Sequence, residues 1–446
     1  MVNIPDAWYN ILADLDFALP PDVQPDLPAG DRAGGIDPQV PLSLVRQEMS
    51  REPWVPIPAE VRERYAQWRD TPLRRATNLE RALGTRSRIY FKYEGGNLTG
   101  SHKLNTAVAQ AYYYRKAGAT RLAVATGAGQ WGTAVAAACQ MFGLECHVYM
   151  VRSSMTGKPY RRTMMELLGA QVTASPSDRT GVGRRFLAAG DHGGTLSVAL
   201  AEAVEETRTP GTRFCAGSGE TYSLLHQTVI GLEARAQLAE RDVWPDVVVA
   251  GLGAGSNFGG LAFPFLGSAL RGERAVRCLS VEPAACPKLT RGRYAYDYTD
   301  SSERTALQKM YTLGHRFTPP AMHAGGLRYH ATAKVVSALY DRGLIEAAAY
   351  QQREIFSSAT LFTRCEGIVP APESAHAVHG AVVEAARADE RGEPATILFA
   401  LSGHGIFDMG AYRSYLDGEI ADDIVPDAAI AASLAHLPTQ PVSSDV

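Results

Sequence analysis

The chain has 446 residues, too many for one simple core, and this length indicates two or three domains. Its 44 basic and 47 acidic residues give a formal net charge of −3. That balance excludes the broad basic surface needed to bind nucleic acid or an anionic membrane, so we expect small-molecule partners.

The cysteine content predicts a protein of a reducing compartment without a metal centre. No two cysteines have the Cys-x-x-Cys spacing of a zinc site. The N-terminal segment carries Asp6, Asp14 and Asp16 and no basic stretch, which is not the pattern of a signal peptide. We therefore expect a cytoplasmic location. The six cysteines are Cys139, Cys146, Cys215, Cys278, Cys286 and Cys365.

Two long uncharged stretches, 122–144 and 247–270, resemble membrane helices in length alone. Each is interrupted by a polar, glycine-rich run, TGAGQWGT in the first and GLGAGSN in the second. A buried strand, a glycine loop and a helix explain both stretches better than a membrane span.

In chain order, residues 1–50 are rich in proline and acidic residues and predict an irregular arm, followed by a short helix at 60–68. Strands and helices then alternate in two runs. The tail after Asp422 is rich in Ala, Pro and Ser, and we expect it to be loosely held. The first run has strands at 88–93, 121–125, 146–151 and 171–174 and helices at 103–117, 130–142 and 159–168. The second has strands at 246–250, 277–282 and 396–401 and helices after Ser256 and near 332–342, 351–365 and 374–388.

This alternation predicts an α/β fold with parallel sheets covered by helices on both faces. Two runs indicate two such domains with a cleft between them, and ligands in these folds bind at the carboxyl ends of strands. The predicted division is an N-terminal arm with the start of the first α/β region (1–87), a part that includes the smaller α/β domain (88–230), a larger α/β domain (231–420) and a tail (421–446).

The glycine-rich segment GLGAGSN (251–257) follows an apolar strand and opens a helix. Small residues there let backbone N–H groups face an anion, and the helix N-terminus favours negative charge. The segment has neither the lysine of a Walker loop nor the spacing of a dinucleotide fingerprint. It predicts a phosphate site, and a tight strand–helix turn without a ligand is the alternative.

Three other segments contain candidate site residues. Lys103, in EGGNLTGSHKLN, is either a solvated surface charge or a desolvated amine suited to a Schiff base. The loop ATGAGQWG (125–132) would offer donors to a carboxylate, and Ser402 in LSGHG follows a strand at its carboxyl end. A close-packed turn is the alternative for both. The donors of the loop are Thr126, Gly127, Ala128, Gly129 and Gln130.

The order of these motifs along residues 5–418 resembles the tryptophan synthase beta family, and most of all its stand-alone subclass. This family belongs to the fold-type II enzymes that use pyridoxal 5′-phosphate (PLP). The resemblance implies two three-layer α/β/α domains with PLP in the cleft between them. The motifs are IPDAWYN, TPLRRATNLE, IYFKYEG, TGSHK, TGAGQWG, KPYRR, LLHQTVIGLEA, GSNFGGLAFPFL, EPAACPKLTRG, YTLGH, HAGGLRYH, EGIVPAPESAHA and LSGHG.

The resemblance also implies roles for individual residues. Lys103 would carry PLP as a Schiff base with His102 beside it, and Ser402 would bond the pyridine nitrogen. It further implies a homodimer without a tightly bound alpha chain, and it allows a monovalent cation as a second cofactor. The phosphate would bind Gly253, Ala254, Gly255, Ser256 and Asn257; Gln130, Ser218 and Glu366 would also line the cofactor; and Thr126 to Gln130 would bind the substrate carboxylate.

The chain departs from the family pattern at the expected site. Ala125 stands where the family loop has a glutamate that acts on the β-hydroxyl and on indole. The segment Gly-Ser-Gly-Glu-Thr-Tyr-Ser (217–223) replaces Gly-Ser-Val-Leu-Asn-His-Val, which adds Glu220 and Tyr222. Leu104 replaces a proline, and Ala254 a glycine. Clustered changes around intact PLP residues favour a changed reaction over decay.

We therefore expect a β-replacement synthase in which serine, O-phosphoserine or threonine forms an aminoacrylate-type intermediate. A nucleophile other than indole, or indole used differently, then adds, to give a tryptophan-like or other non-standard amino acid. Glu220 is the candidate replacement acid–base group, with a solvent-facing carboxylate as the alternative. Arg328 suits a phosphate leaving group, unless it forms a structural salt bridge. The other hypotheses are ordinary tryptophan synthesis, deamination of serine or threonine, and an inactive partner protein.

Overall fold

The computed structural model describes residues 2–23, 40–190, 192–217, 219–300, 303, 305–422 and 424–438. Within these residues the strands form a six-stranded sheet, a four-stranded sheet and two two-stranded pairs. We call the first two the larger sheet and the smaller sheet. The strands are β1 (Ala7–Tyr9), β2 (Trp54–Pro56), β3 (Leu73–Arg75), β4 (Arg88–Tyr93), β5 (Arg121–Thr126), β6 (Glu145–Val151), β7 (Gln171–Ser175), β8 (Thr212–Phe214), β9 (Val247–Gly251), β10 (Arg277–Pro283), β11 (Arg293–Tyr298), β12 (Leu307–Thr312), β13 (Glu346–Tyr350) and β14 (Thr396–Leu401).

Helices cover both sheets, as the alternating pattern predicts. The predicted helices at 103–117, 130–142 and 159–168 are confirmed to within one residue at each end. The α-helices are Leu42–Met49, Ala59–Tyr65, Thr77–Leu83, Lys103–Lys116, Gln130–Phe142, Arg152–Gly157, Pro159–Leu167, Gly181–Ala188, Leu196–Glu205, Thr221–Gln227, Val229–Ala239, Ser256–Leu270, Lys334–Asp341, Gln352–Glu366, Pro372–Arg391, Met409–Leu416 and Asp427–Leu434.

The larger sheet has the order β13-β10-β9-β14-β4-β3. All its neighbouring strands are parallel except β3, which pairs antiparallel with β4 at the edge. The two central strands β9 and β14 are buried along their whole length. Strands of this kind are apolar throughout because helices cover both of their faces.

The smaller sheet has the order β7-β6-β5-β8, and all its strands are parallel. Strand β5 is central and ends at Thr126, one residue after Ala125. The carboxyl end of β5 therefore leads directly into the loop that opens the helix Gln130–Phe142.

Strand β4 is not part of the smaller sheet, although the sequence analysis grouped it with the first run. It pairs with β14 along its full length, from Arg88 opposite Thr396 to Tyr93 opposite Leu401. The chain therefore adds one strand to the larger sheet before it builds the smaller one. The physical reason is non-local pairing, which the local pattern of β4 does not contain. The domain boundaries themselves stay a prediction.

The arm and the tail are more ordered than the sequence analysis expected. Strand β1 pairs with β2, and Trp8 is fully buried against His226, with ring centroids 4.4 Å apart. The helix Asp427–Leu434 is anchored by Ile430, which packs with Val425. Both predictions of irregular structure are therefore wrong for these parts, while residues 24–39 and 439–446 lie outside the described residues.

Among the described residues, none of the helices is both long enough and apolar enough to cross a membrane. Within the same residues there is also no group of three or more His, Cys, Asp and Glu side chains that could hold a metal ion.

Four buried charges join the segment before β3 to β4 and to the helix Val229–Ala239. The Arg69 guanidinium donates to Glu233 over 2.5 Å and to Glu94 over 3.1 Å. The Lys92 ammonium donates to Glu233 over 2.9 Å. The four side chains are at most 2% exposed. Since a buried charge is tolerated only when it is paired, this network fixes the three segments relative to one another.

The same network reaches the helix that begins at Lys103. Asn105 accepts a hydrogen bond from Arg69 over 2.8 Å and donates to Glu94 over 3.1 Å. The start of the helix is thereby tied to the buried charges two residues after Lys103.

We expect Glu233→Ala to lower the free energy of unfolding by about 3–5 kcal/mol, because it leaves Arg69 and Lys92 without their shared carboxylate. Urea denaturation followed by circular dichroism measures this loss. The matched control is Glu166→Ala, which breaks the exposed pair with Arg162 and should cost about 0.5 kcal/mol or less. Equal losses for the two variants would contradict a stabilising role for the network.

Candidate active site

A cavity of about 870 Å³ lies where the loops after β5 and β9 meet. We call it the main cavity. Lys103 lines it together with the loop after β5, the segment that follows β8, and part of the arm. The predicted residues that line it are Lys103, Thr126, Gly127, Ala128, Gln130, Glu220, Ala254 and Arg328. Ligand sites in such folds are expected at this end of the strands.

A second, smaller cavity adjoins the main cavity and shares Lys103, Gln130, Ala254 and Gly326 with it. We call it the loop cavity. Its walls bring together six segments that are far apart in the sequence. The predicted cofactor residues found there are His102, Lys103, Gln130, Gly253, Ala254, Gly255, Ser256, Asn257 and Ser402.

The glycines after β9 are required by the geometry of the loop cavity. A Cβ atom on Gly253 would lie 2.7 Å from the Gly326 carbonyl oxygen, and Gly255 has a φ of +132°. A side chain at either position would clash or strain the backbone. Gly255 leads directly into the helix Ser256–Leu270, whose first N–H groups have no partner within the helix. Small residues and a helix N-terminus together form a cradle for an anion.

His102 lies beside this cradle and is buried. Its Nε2 is 3.4 Å from the Ser256 hydroxyl, while Nδ1 has no hydrogen-bond partner among the described residues. Burial lowers the pKa of His102 to about 3, so the ring is neutral at physiological pH. Asn257 donates to the Gly251 carbonyl over 3.0 Å, and its side-chain oxygen is also without a described partner. Such unpartnered buried groups indicate room for a ligand.

Lys103 is half-buried, and its amine donates to the Gln130 side-chain oxygen over 3.1 Å. Burial lowers the pKa of Lys103 to about 8, although the negative charge of Glu373 opposes the shift. A much larger fraction of the amine is therefore neutral near pH 7 than in an ordinary lysine, as a nucleophilic lysine requires.

Glu373 is a site residue that the sequence analysis missed. Its carboxylate accepts from Gln130 over 3.1 Å and from the Gly326 N–H over 2.8 Å. Burial alone would raise its pKa, but Lys158 and Lys103 hold the pKa below its ordinary value. The motif EGIVPAPESAHA contained a signal for Glu373. Glu373 follows Pro372, a residue type that often opens helices, and a carboxylate in the first turn interacts favourably with the helix N-terminus.

Two predicted residues that the structure describes line neither cavity, and a third is not described. Glu366 lines neither cavity, so this prediction is wrong: its carboxylate accepts from the Asn78 and Leu79 N–H groups and caps the helix Thr77–Leu83. Gly129 also lines neither cavity, because it is packed in the turn with a φ of +93° and its Cβ position lies 2.9 Å from Arg161. Ser218 lies outside the described residues.

Ser402 is buried after β14, and its hydroxyl is 2.8 Å from that of Ser374. Ser374 in turn accepts a hydrogen bond from the Gly403 N–H over 2.9 Å. This pairing holds Ser402 in the loop cavity with a neutral oxygen that can donate or accept one more hydrogen bond.

The loop after β5 presents few side-chain functions to the main cavity. The Thr126 hydroxyl accepts from the Gly129 N–H over 3.1 Å, which closes the turn before the helix Gln130–Phe142. Ala125 lines the main cavity with a methyl group that belongs to a buried apolar cluster with Phe214. Ala125 therefore offers no proton donor or acceptor at this wall.

Glu220 is half-buried in the wall of the main cavity and precedes the helix Thr221–Gln227. Burial and the nearby charge of Glu48 raise its pKa to about 8, although Lys334 opposes the shift. Glu48 itself is bonded by the Thr221 hydroxyl over 2.6 Å and lies 3.2 Å from the Lys334 ammonium. Glu220 accepts no side-chain hydrogen bond from the residues described, so its proton is free to act on a ligand.

Arg328 also lines the main cavity. Its guanidinium donates to the Pro319 carbonyl over 2.8 Å, and its Nε is buried without a described partner. No acidic side chain in the described parts of the chain pairs with it, so the alternative of a structural salt bridge is not found there.

Comparison with known proteins decides the family of the chain. The profile of the family described as "Pyridoxal-phosphate dependent enzyme" matches residues 66–403. The tryptophan synthase beta chain 2 of Thermococcus kodakarensis is 51% identical over 423 residues, covering 94% of this chain and 96% of that protein. That of Aeropyrum pernix is 50% identical over 425 residues, covering 94% and 95%. The chain belongs to the tryptophan synthase beta-like family of PLP-dependent enzymes.

Solved structures of more distant proteins confirm the fold of this tryptophan synthase beta-like chain. The processed form of threonine deaminase isoform 2 from Solanum lycopersicum matches with a TM-score of 0.60 at 16% identity, covering 90% of this chain and 99% of that one. The L-serine ammonia-lyase from Rhizomucor miehei matches with a TM-score of 0.59 at 14% identity, covering 78% and 98%. The fold-type II prediction is therefore confirmed.

The residues at the loop cavity fit PLP, the cofactor of this family. The cradle at Gly253–Asn257 suits its phosphate, the Lys103 amine its aldehyde, and the Ser402 hydroxyl its ring nitrogen. When bound, PLP supplies an electron sink for the bonds at the substrate α-carbon. Each of these placements is a proposal about which residues hold the cofactor.

We expect PLP to attach to Lys103 in the apo protein at a rate that rises as pH increases through about 8, because only the neutral amine attacks the aldehyde. Glu373→Gln removes the charge that favours the protonated amine, so the midpoint should move to lower pH. Glu366→Gln is the matched control and should leave the midpoint unchanged. Absorbance follows the loading, and borohydride reduction with peptide mapping identifies the lysine. A label on another lysine, or an upward shift in Glu373→Gln, would refute the assignment.

Proposed function

We propose that this chain is a β-replacement synthase that joins a serine-type amino acid to a nucleophile. This nucleophile is either a compound other than indole or indole that reacts at a position other than its usual carbon. The observation that supports the proposal is that, compared with the family pattern, the main cavity has lost a glutamate at position 125 and gained one at position 220. Ala125 presents a methyl group at the end of β5, and Glu220 presents a carboxyl with a raised pKa from another wall.

The methyl group of Ala125 limits the choice of nucleophile. Carbon nucleophiles that must lose a proton need a positioned base, and general acid–base help is worth about 10²–10⁴-fold in rate. A nucleophile that is already acidic or enolised needs less of this help. The main cavity is therefore better suited to such a nucleophile than to indole, and its volume of about 870 Å³ accommodates one larger than indole.

Glu220 is the proposed replacement acid. With a pKa of about 8 its carboxyl is mostly protonated at neutral pH, so it can donate a proton to a departing β-substituent and afterwards act as a base. Its raised pKa is maintained by burial and by Glu48, whose own oxygens are engaged with Thr221 and Lys334.

The donor is a serine, O-phosphoserine or threonine. The carboxylate of the donor would bind at the start of the helix Gln130–Phe142, where Thr126 to Ala128 line the main cavity. Arg328, with an unpartnered Nε and a fixed positive charge, supports an anionic leaving group such as phosphate.

Ordinary tryptophan synthesis is the second candidate. It is favoured by the names of relatives that are about half identical to this chain, and Glu220 would then act in place of the missing loop acid. A deaminase reaction is the third: the donor loses its β-substituent, and the released product is hydrolysed by water to a keto acid and ammonia. The two candidates differ from the proposal in the product formed, so product analysis separates them.

We expect Glu220→Gln to reduce turnover by about 10²–10⁴-fold while PLP stays bound, because the amide keeps the size but has no titratable proton. In the wild type, activity should fall as pH rises through about 8, where the acid form is lost, and the variant should lack this limb. Glu166→Gln on the surface is the matched control. Unchanged turnover with an unchanged pH profile would exclude Glu220 from the chemistry.

We expect Ala125→Glu to increase the rate of tryptophan formation from indole and serine by about tenfold or more. The longer side chain extends into the main cavity, which has room for it, and restores a base at this wall. Ala125→Gln has the same size without the proton and should give no increase. Chromatographic measurement of tryptophan tests both variants. The proposal fails if the wild type already makes tryptophan faster than either variant and faster than it uses any other nucleophile.

A further inference from the structure

Lys288 is a fully buried lysine outside the group of residues that act on the substrate. It lies in the turn after β10, and its side chain reaches the end of the neighbouring strand β9. Its ammonium is 3.2 Å from the Leu252 carbonyl oxygen and 3.5 Å from that of Cys286. A buried ammonium in water-free surroundings is costly unless such oxygens replace its hydration shell.

The acceptors of Lys288 are main-chain carbonyls rather than a carboxylate. In the described residues no acidic side chain forms an ion pair with it. The buried carboxylate of Glu282 is close enough for the Lys288 charge to oppose the rise in its pKa that burial causes, but its hydrogen bonds come from the N–H groups of Leu289 and Thr290 and from the Thr290 hydroxyl. Converging backbone carbonyl oxygens are the ligands by which proteins bind dehydrated potassium ions. Lys288 therefore places a positive charge in surroundings of the kind that hold a monovalent cation.

The position of this charge matters for the cradle after β9. Leu252 immediately precedes Gly253, which lines the loop cavity. In a trans peptide the carbonyl and the following N–H point in opposite directions. A hydrogen bond from Lys288 to the Leu252 carbonyl therefore directs the Gly253 N–H away from Lys288, and it polarises that N–H toward an anion.

We propose that the Lys288 ammonium takes the place of a monovalent cation beside the phosphate cradle, so that this chain binds PLP without an added cation. Lys288 is a positioning residue, since it acts through the Leu252–Gly253 peptide and does not touch the cofactor. The proposal requires only family membership and is independent of the donor and the nucleophile.

The wild type provides the first test. PLP affinity of the apo protein is measured by absorbance titration in tetramethylammonium chloride, whose cation is too large for a carbonyl site, and again in potassium or ammonium chloride. We expect the same dissociation constant, within about twofold, in all three salts. A wild type that needs potassium or ammonium for tight PLP binding overturns the proposal without any variant.

The second test is Lys288→Met, which keeps an unbranched side chain only one atom shorter and removes the charge. In tetramethylammonium chloride it should bind PLP about tenfold or more weakly, as expected for loss of a charged hydrogen bond. Potassium or ammonium ions should restore most of the affinity. Lys116→Met, at an exposed site, is the control and should behave as the wild type.

Two outcomes for a folded Lys288→Met protein overturn the proposal. One is unchanged PLP affinity in tetramethylammonium chloride. The other is weakened affinity that neither potassium nor ammonium restores, since a merely structural lysine is not replaced by a free ion. If the variant folds only when potassium or ammonium is present, the proposal is supported; if it folds in none of the salts, the wild-type comparison decides.

Discussion

The buried contact of Arg69 with Glu94 and Glu233 sets the position of Lys103. A guanidinium enclosed by protein requires its carboxylates, and removing one of them costs several kcal/mol. Because Asn105 bonds to both Arg69 and Glu94, the helix that begins at Lys103 cannot shift without disturbing these charges. Lys92 contributes from β4, so the larger sheet is part of the same constraint.

The Arg69 network fixes Lys103, and the rest of the site is formed by chain segments that end at one edge of the two sheets. Lys103 contacts Gln130, Gln130 contacts Glu373, and Glu373 contacts the Gly326 N–H. This series of hydrogen bonds links the smaller sheet to the larger sheet, and its polar groups serve as one another's partners. It also holds a negative charge close to the lysine amine, which limits how far burial can lower the pKa of that amine.

Much of this arrangement could be predicted from the sequence because it depends on local pattern. The strand–glycine loop–helix order around Gly253, the helix starting at Lys103 and the strand before Ser402 are all local signals, and the structure has them. Sheet membership of β4 was not predictable in this way, since its partner β14 lies 308 positions away. The prediction of Glu366 as a cofactor residue, with Glu373 overlooked, has the same cause. Both stand in one motif, and only the packing of the helix Thr77–Leu83 shows that Glu366 caps another element.

The proposed reaction depends on two side chains of the main cavity, the methyl group of Ala125 and the carboxyl of Glu220. The direct test is a product survey by mass spectrometry. The PLP-loaded protein is incubated with serine, O-phosphoserine or threonine and with nucleophiles that include indole and several acidic or enolisable compounds. We expect an adduct of the donor with an acidic or enolisable nucleophile to form faster than tryptophan. Tryptophan as the fastest product, or keto acid and ammonia as the only products across the panel, would contradict the proposed reaction.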